Sequence, residues 1–112
     1  MNIKVKRMSK GAKLPTRGSE RAAAYDVYAC LPSENALITI MPHQTMLIGT
    51  GLRMAPPEGF YVGVYARSGL SSKEGLRPAN CVGVIDEDYR GEYLVAVHND
   101  SEVTRFVKHG DR

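Results

Sequence analysis

The sequence predicts an all-β protein, and two observations support that fold class. Eight short apolar or alternating segments follow one another along the 112 residues, and the alternation of residues 2–8 has the two-residue period of a strand. Turn-forming residues separate the segments, for example Pro56-Pro57-Glu58-Gly59 and Asn99-Asp100-Ser101. Many strands with short connections are typical of a sandwich, a barrel or a jelly roll.

The first predicted strand is followed by a loop, residues 9–20, in which Gly, Pro and Ser recur. One or two helical turns are predicted near Ser68–Glu74. The remaining predicted strands cover residues 22–30, 36–40, 45–54, 60–66, 81–85, 92–98 and 103–108. Four glycines inside these strands indicate bulges or close approach of two backbones, namely Gly49, Gly51, Gly63 and Gly83.

Length and composition restrict the class of protein. A chain of 112 residues has room for one domain, and 43% hydrophobic with 24% charged residues is ordinary for a folded protein. No apolar run approaches the roughly 20 residues needed to span a bilayer, and the charged N-terminus lacks the apolar stretch of a signal peptide. Two cysteines, Cys30 and Cys81, are too few for a disulfide scaffold or a zinc cage. We therefore expect a cytoplasmic protein without a membrane partner.

Several common catalytic and binding motifs are absent. The chain has no P-loop sequence, and Gly49-Thr50-Gly51 lacks the third glycine of a dinucleotide fingerprint. The three histidines have no metal-ligand spacing, and Ser68 does not lie in the Gly-x-Ser-x-Gly sequence of an acyl-transfer enzyme. The net charge of +3 is modest and is not accompanied by stacking aromatic residues or a recognition helix, so we expect no nucleic-acid partner.

The first segment with distinctive chemistry is Ala66–Lys73, where a predicted strand ends in a charged loop. Arg67 offers a fork of donors, Ser68 offers a hydroxyl, and Gly69 offers a backbone N–H without an obstructing side chain. Together these groups would suit a phosphate. A solvated turn has the same composition, so this segment alone leaves both interpretations open.

The second such segment is Asn80–Glu92. A five-residue apolar run delivers Asp86 at its end, a turn follows, and Glu92 begins a return strand, which predicts a hairpin. Tyr89 lies inside that turn, where an aromatic residue is uncommon. The mouth of a hairpin exposes unpaired backbone donors and acceptors, which suit the edge of a flat heterocycle such as uracil.

Four stretches of the sequence form an ordered set that spans nearly the whole chain: Ala22–Ala29, Arg67–Leu70, Gly83–Glu92 and His109–Arg112. Taken together, and in this order, they resemble the motifs of the trimeric dUTP pyrophosphatases, or dUTPases. The dCTP deaminases share the fold, but they carry a second serine where this chain has Gly69, so the dUTPase resemblance fits better.

The sequence departs from the family pattern at a few positions. Ala24, Ala66 and Ser71 replace a common glycine, proline and alanine, and these changes look tolerable. The chain also ends at Arg112, inside the fourth motif, and the glycine-rich fifth motif is not present. We therefore expect residues 1–112 to form a single dUTPase-like β domain that lacks the C-terminal arm, binds dUTP weakly and hydrolyses it slowly.

The resemblance implies a fold, a reaction and a cofactor. The fold would be a distorted jelly roll, assembled as a homotrimer with active sites shared between subunits. The reaction would be hydrolysis of dUTP to dUMP and pyrophosphate, which limits uracil incorporation into DNA and supplies dUMP for dTTP synthesis. Mg²⁺ would be held mainly by substrate and water. Asp26 either reaches that ion through water or has a structural hydrogen-bonding role, and both interpretations stay open.

The resemblance also implies roles for individual residues. Asp86 would orient and deprotonate the water that attacks the α-phosphorus. Tyr89 would pack under the deoxyribose and exclude a 2′-hydroxyl, while Asp88 and Arg90 would brace the turn. Phosphates would be bound by Arg67, Ser68 and Gly69, with Arg67 serving a neighbouring subunit, and uracil would be read by Asn80 and the backbone near Val84, Ile85 and Leu94.

Two alternative functions are compatible with the same fold. The chain could be a non-catalytic nucleotide-binding or regulatory protein, which the absent arm favours, although Asp86 and the Arg67–Gly69 loop are both present. It could also be a relative of the dCTP deaminases, in which case it would release ammonia.

Overall fold

A computed structural model, which describes all residues 1–112, contains strands and one helical turn between them, so the predicted all-β fold class is confirmed. The helical turn, Leu70–Glu74, lies where the sequence predicts one. None of the helical segments is long and apolar enough to cross a membrane. The strands are β1 (Lys4–Arg7), β2 (Leu37–Ile40), β3 (Thr45–Gly49), β4 (Leu52–Ala55), β5 (Val62–Val64), β6 (Leu76–Pro78), β7 (Gly83–Ile85), β8 (Leu94–Asn99) and β9 (Arg105–Lys108).

The strands form four small antiparallel sheets whose neighbours are distant in sequence. β1 pairs with β4, β2 with β9, and β5 with β7, while β8 lies between β3 and β6. A two-stranded sheet leaves one edge of each strand without a partner. β7 therefore has a free backbone edge next to the residues that the sequence assigns to base recognition.

The core consists of two apolar clusters and is small for a chain of this length. Only 14 of the 112 residues are buried, whereas Val84, Leu94 and Phe106 are about half exposed or more. A lone chain thus leaves much apolar surface in water, which is unfavourable unless another surface covers it. One cluster contains Ala29, Leu31, Ile40, Ile48 and Leu76, and the other contains Ala12, Leu52, Met54 and Tyr93.

Two of the predicted strands are wrong. Residues 22–30 form no strand, and their one ladder contact is an isolated bridge from Asp26 to Thr16. The predicted strand 45–54 is broken at Gly51, whose φ of 68° turns the chain between β3 and β4. A Cβ there would lie 2.8 Å from the Cβ of Ala12, so only glycine fits this corner. The short strand β6 was not predicted at all.

The predicted hairpin between residues 81–85 and 92–98 is also wrong. β7 pairs with β5, and β8 pairs with β3 and β6. The segment after the turn does not pair with β7. The N–H of Tyr93 donates to the carbonyl of Leu52 at 2.8 Å, and the carbonyl of Tyr93 accepts from the N–H of Thr50 at 3.1 Å. Burial of the Tyr93 ring in the second core cluster favours that arrangement.

Candidate functional site

The turn that carries Asp86 is closed by hydrogen bonds within the turn. β7 leads directly into Asp86, whose carbonyl accepts a hydrogen bond from the N–H of Tyr89 at 3.1 Å. The Tyr89 hydroxyl donates to the carbonyl of Glu92 at 2.9 Å, so the ring lies across the turn. Gly91 makes this possible, because a Cβ there would lie 2.5 Å from the Tyr89 hydroxyl.

Two other charged residues of the turn, Arg90 and Glu87, form hydrogen bonds that brace it, whereas the Asp88 side chain forms none. Arg90 Nη1 donates to the carbonyls of Glu87 and Tyr89, at 2.6 and 3.1 Å, as expected from the sequence. The Glu87 carboxylate accepts a hydrogen bond from the N–H of Gly59 at 3.0 Å. The Asp86 carboxylate is exposed and takes part in no hydrogen bond or ion pair, so both its oxygens are free to accept a proton.

The ring of Tyr93 packs near the ring of Tyr89 in this turn, and this role of Tyr93 was not predicted from the sequence. Its ring centroid lies 6.2 Å from that of Tyr89, and the side chain is buried. Burial raises the pKa of the Tyr93 hydroxyl, which has no hydrogen-bond partner. The apolar spacing of the strand could have indicated that this position faces inward.

The residues assigned to base recognition lie on β7, on the turn before it, and at the start of β8. Asn80 precedes Cys81, whose φ of 65° is unusual for a residue with a side chain. Val84 and Leu94 are 62% and 47% exposed, and Ile85 packs against the second core cluster. Val84 and Ile85 therefore lie on the strand with the free edge, while Asn80 and Leu94 lie on other segments.

The Arg-Ser-Gly loop is largely open to solvent. Arg67, Ser68 and Gly69 are all exposed, and a Cβ on Gly69 would meet no atom within 4 Å. The carbonyl of Arg67 accepts hydrogen bonds from the N–H and the hydroxyl of Ser71, at 3.0 and 3.2 Å. Nothing within this chain requires glycine at position 69, so the free space there is available to another molecule.

Asp26 lies between two arginines. Its Oδ2 accepts a hydrogen bond from Nη1 of Arg112 at 3.0 Å, and its Oδ1 is 3.8 Å from Nε of Arg67. The Asp26 side chain is 20% exposed, so this contact is only partly screened by water. Arg112 was not predicted as a site residue, although it belongs to the fourth family-like stretch of the sequence.

Asp86 and Arg67 leave one pair of strands at opposite ends. In the β5–β7 pair, Val62 lies opposite Ile85 and Val64 lies opposite Gly83. Asp86 follows Ile85 at one end of the pair, whereas Arg67 follows Val64 beyond the other end.

A large cavity coincides with only some of these residues. It has a volume of about 960 Å³ and is lined mainly by hydrophobic side chains, together with Asp26, Arg67 and Arg112. Of the predicted base-reading residues only Ile85 and Leu94 line it, and Asp86 and Tyr89 do not. No three His, Cys, Asp or Glu side chains lie close enough together to hold a metal ion.

Comparisons with known proteins agree on one family. The sequence profile of the dUTPase family matches residues 10–112. A deoxyuridine 5'-triphosphate nucleotidohydrolase of Desulfitobacterium hafniense is 49% identical over 116 residues, which cover 99% of this chain and 75% of that protein.

Two solved structures are similar as well. A mutant of the Staphylococcus bacteriophage 80alpha dUTPase with dUpNHpp is 33% identical, with a TM-score of 0.77 over 90% of this chain and 56% of that chain. A mutant dUTPase from phage phi11 of S. aureus, which coordinates a structural Mg(II) ion, has a TM-score of 0.84. It covers 99% of this chain and 85% of that chain at 24% identity, so this second likeness concerns the fold alone.

Proposed function

This chain belongs to the dUTPase family, and from that premise we propose that it hydrolyses dUTP to dUMP and pyrophosphate. The observation that carries the proposal is the Asp86 turn, which holds an unpaired carboxylate beside a fixed aromatic ring. A carboxylate without a partner can accept a proton from water, and a fixed turn keeps it in one position.

Asp86 is proposed as the general base. It accepts a proton from a water molecule and orients the water's lone pair toward the α-phosphorus of dUTP. The new bond forms between the water oxygen and the α-phosphorus, while the bond to the bridging oxygen of the departing pyrophosphate breaks in line. Because a carboxylate is a weak base at neutral pH, orientation contributes as much as proton transfer.

The base and sugar are proposed to bind on either side of this turn. Asn80 and the free backbone edge near Val84, Ile85 and Leu94 would read the uracil edge. Cytosine reverses the donor and acceptor at two positions of that edge, so buried groups would be left unpaired and discrimination would be strong. The Tyr89 ring would lie under the deoxyribose and leave no space for a 2′-hydroxyl.

The phosphates are proposed to bind to Arg67, Ser68 and Gly69 of a neighbouring copy in a homotrimer. Two features support sharing between copies. Arg67 and Asp86 leave the β5–β7 pair at opposite ends, and the small core leaves apolar side chains such as Val84 and Leu94 exposed. Closed symmetric assembly would cover such surfaces and complete each site.

Mg²⁺ is proposed as the cofactor, and the donor set fits an ion held mainly by the substrate. Mg²⁺ usually binds through phosphates, several waters and one or two carboxylates, so a cluster of protein ligands is not required. Asp26 is the carboxylate that the family resemblance connects with this ion, and the nearby guanidiniums of Arg112 and Arg67 favour contact through water over direct coordination. When bound, the ion would offset charge on the phosphate oxygens.

The proposal is tested by the products of the reaction. The full chain is incubated with dUTP and Mg²⁺, and dUMP, pyrophosphate and ammonia are each measured. Equimolar dUMP and pyrophosphate are expected. Release of ammonia from dCTP would instead identify a deaminase, and binding of dUTP without any product would identify a non-catalytic protein. We also propose a cytoplasmic location, which the two free cysteines support.

A further inference from the structure

The side chain of Arg77 folds over the turn that carries Asn80. Arg77 lies in the middle of β6, and its Nη1 donates hydrogen bonds to the carbonyls of Pro78 and Ala79, both at 3.1 Å. The same nitrogen is 3.7 Å from Sγ of Cys81. The contacts of this one guanidinium therefore flank Asn80 on both sides along the chain.

The opposite edge of the guanidinium is bound to Asp100. Nε donates to Oδ2 at 2.5 Å, and Nη2 donates to Oδ1 at 3.2 Å. This two-point contact needs the planar fork of arginine, since the ammonium of lysine cannot serve two carboxylate oxygens and two carbonyls at once. Arg77 thus ties the turn to a different part of the fold.

That part of the fold is firmly held. The N–H of Asp100 donates to the carbonyl of Gly75 at 2.8 Å. The preceding residue, Asn99, is fully buried, and its amide donates to the carbonyls of Ile40 and Val103, both at 2.9 Å. Asp100 is therefore fixed by bonds on both sides of its own backbone.

A backbone hydrogen bond from the N–H of Ala79 to the carbonyl of Ala96 in β8, at 2.7 Å, also ties this turn to a neighbouring strand. Asn80 and Cys81 are exposed, and Cys81 has a positive φ that residues with a side chain rarely adopt. Inside the turn, the N–H of Cys81 donates to the carbonyl of Pro78 at 2.9 Å, and the N–H of Val82 donates to that of Asn80 at 2.7 Å. Arg77 supplies the side-chain contacts that connect this turn to the rest of the molecule.

We propose that Arg77 and Asp100 form a clamp that fixes the orientation of Asn80, and that this chain depends on the clamp to distinguish uracil from cytosine. The inference rests on the proposed function. An amide carries a donor and an acceptor, so the base edge that it can pair with depends on where the backbone of the turn places Asn80. Arg77 holds that backbone through the carbonyls of Pro78 and Ala79. Arg77 is a positioning residue, because it acts through Asn80 and not on the substrate.

The test compares dUTP with dCTP in variants of the full chain. Arg77→Met removes the clamp, and Arg77→Lys keeps the charge but loses the fork. Each should lower the ratio of kcat/KM for dUTP to that for dCTP by roughly tenfold, while kcat for dUTP stays within about twofold. Arg105→Met is the matched control: Arg105 Nε also donates to a backbone carbonyl, that of Glu74 at 3.0 Å, but outside the turn. Its ratio should not change.

A double-mutant cycle with Asn80→Ala separates positioning from a general loss of stability. If Arg77 acts through Asn80, Arg77→Met should change the ratio less than about twofold once Asn80 is already alanine. Full additivity of the two substitutions, or an unchanged ratio in both Arg77 variants, would overturn the clamp.

If the proposed function itself is wrong, the unmodified chain will release no pyrophosphate, which distinguishes this outcome from failure of the clamp. In that case calorimetric binding of dUMP and dCMP decides the matter. Loss of base preference in the Arg77 variants supports the clamp. An equal preference, or no binding of either nucleotide to the unmodified chain, contradicts it.

Discussion

The turn that carries Asp86 and the loop that carries Arg67 are held in different ways. The Asp86 turn is closed by hydrogen bonds from Tyr89 and Arg90 and rests on the buried ring of Tyr93. The Arg67 loop is exposed, and its guanidinium approaches Asp26 only to 3.8 Å. One chain therefore preorganises the part of the site proposed for base, sugar and water. The part proposed for phosphate awaits a ligand or a second copy.

The largest effect is expected from a substitution in the firmly held Asp86 turn. Asp86→Asn keeps the size of the side chain but removes the proton acceptor. Turnover of dUTP should fall by roughly 10²–10⁴-fold with binding largely retained, as measured by pyrophosphate release and calorimetry. Asp88→Asn in the same turn is the control and should stay near the normal rate. A near-normal rate in the Asp86 variant would remove this residue from the mechanism.

In the more loosely held Arg67 loop, kcat should depend on the geometry of the side chain as well as on its charge. Arg67→Lys keeps a cation but loses the fork that matches phosphate oxygens. Loss of one donor to the transition state should lower kcat by roughly 10²-fold. If lysine supports the normal kcat, then Arg67 provides a positive charge and nothing more specific.

A smaller effect is expected in sugar selectivity. Tyr89→Ala opens the space beneath the deoxyribose, so kcat/KM for UTP should gain roughly tenfold relative to dUTP. Tyr89→Phe keeps the ring and loses only the hydrogen bond to Glu92, so its selectivity should stay closer to normal. Unchanged selectivity in the alanine variant would mean that the sugar is sensed elsewhere.

The smallest effect concerns the stability of a contact that braces the site. The hydrogen bond from Arg77 lowers the pKa of the Asp100 carboxyl, and His98 and His43 also face it with their charge when protonated. A carboxyl with a lowered pKa contributes stability that is present above its unfolded pKa of about 3.9 and lost as pH falls through the folded value. Thermal unfolding of Asp100→Asn should therefore differ most from the unmodified chain near neutral pH. A difference of the same size at neutral pH and in strong acid would contradict this assignment.

The sequence was informative where the structure depends on neighbouring residues. The Asp86 turn was found because Asp86, Tyr89 and Glu92 lie within seven positions, and its local bonding follows from that spacing. The hairpin expected around it was wrong, because Tyr93 is drawn into a core cluster that is assembled from distant segments. Burial of this kind overrides the local pattern.

Ion pairs between residues distant in the sequence could not be predicted, for a related reason. Arg112 and Asp26 are separated by 86 positions, and Arg77 and Asp100 by 23. No periodicity of apolar residues connects such pairs, since only the folded chain brings them together. The predicted strand at 22–30 failed in the same way, because its backbone bonds go to residues such as Asp111 and Gly49.

Subunit mixing tests whether Asp86 and Arg67 of one chain serve different active sites, as proposed above. Asp86→Asn and Arg67→Ala chains, each inactive alone, are unfolded together, refolded at equal amounts and assayed for pyrophosphate release from dUTP. Random assortment places an intact Asp86 beside a neighbour's intact Arg67 in about a quarter of the sites, so about a quarter of normal activity should return. Mixed assemblies that show no recovery would place both residues in the same chain's site and contradict the account.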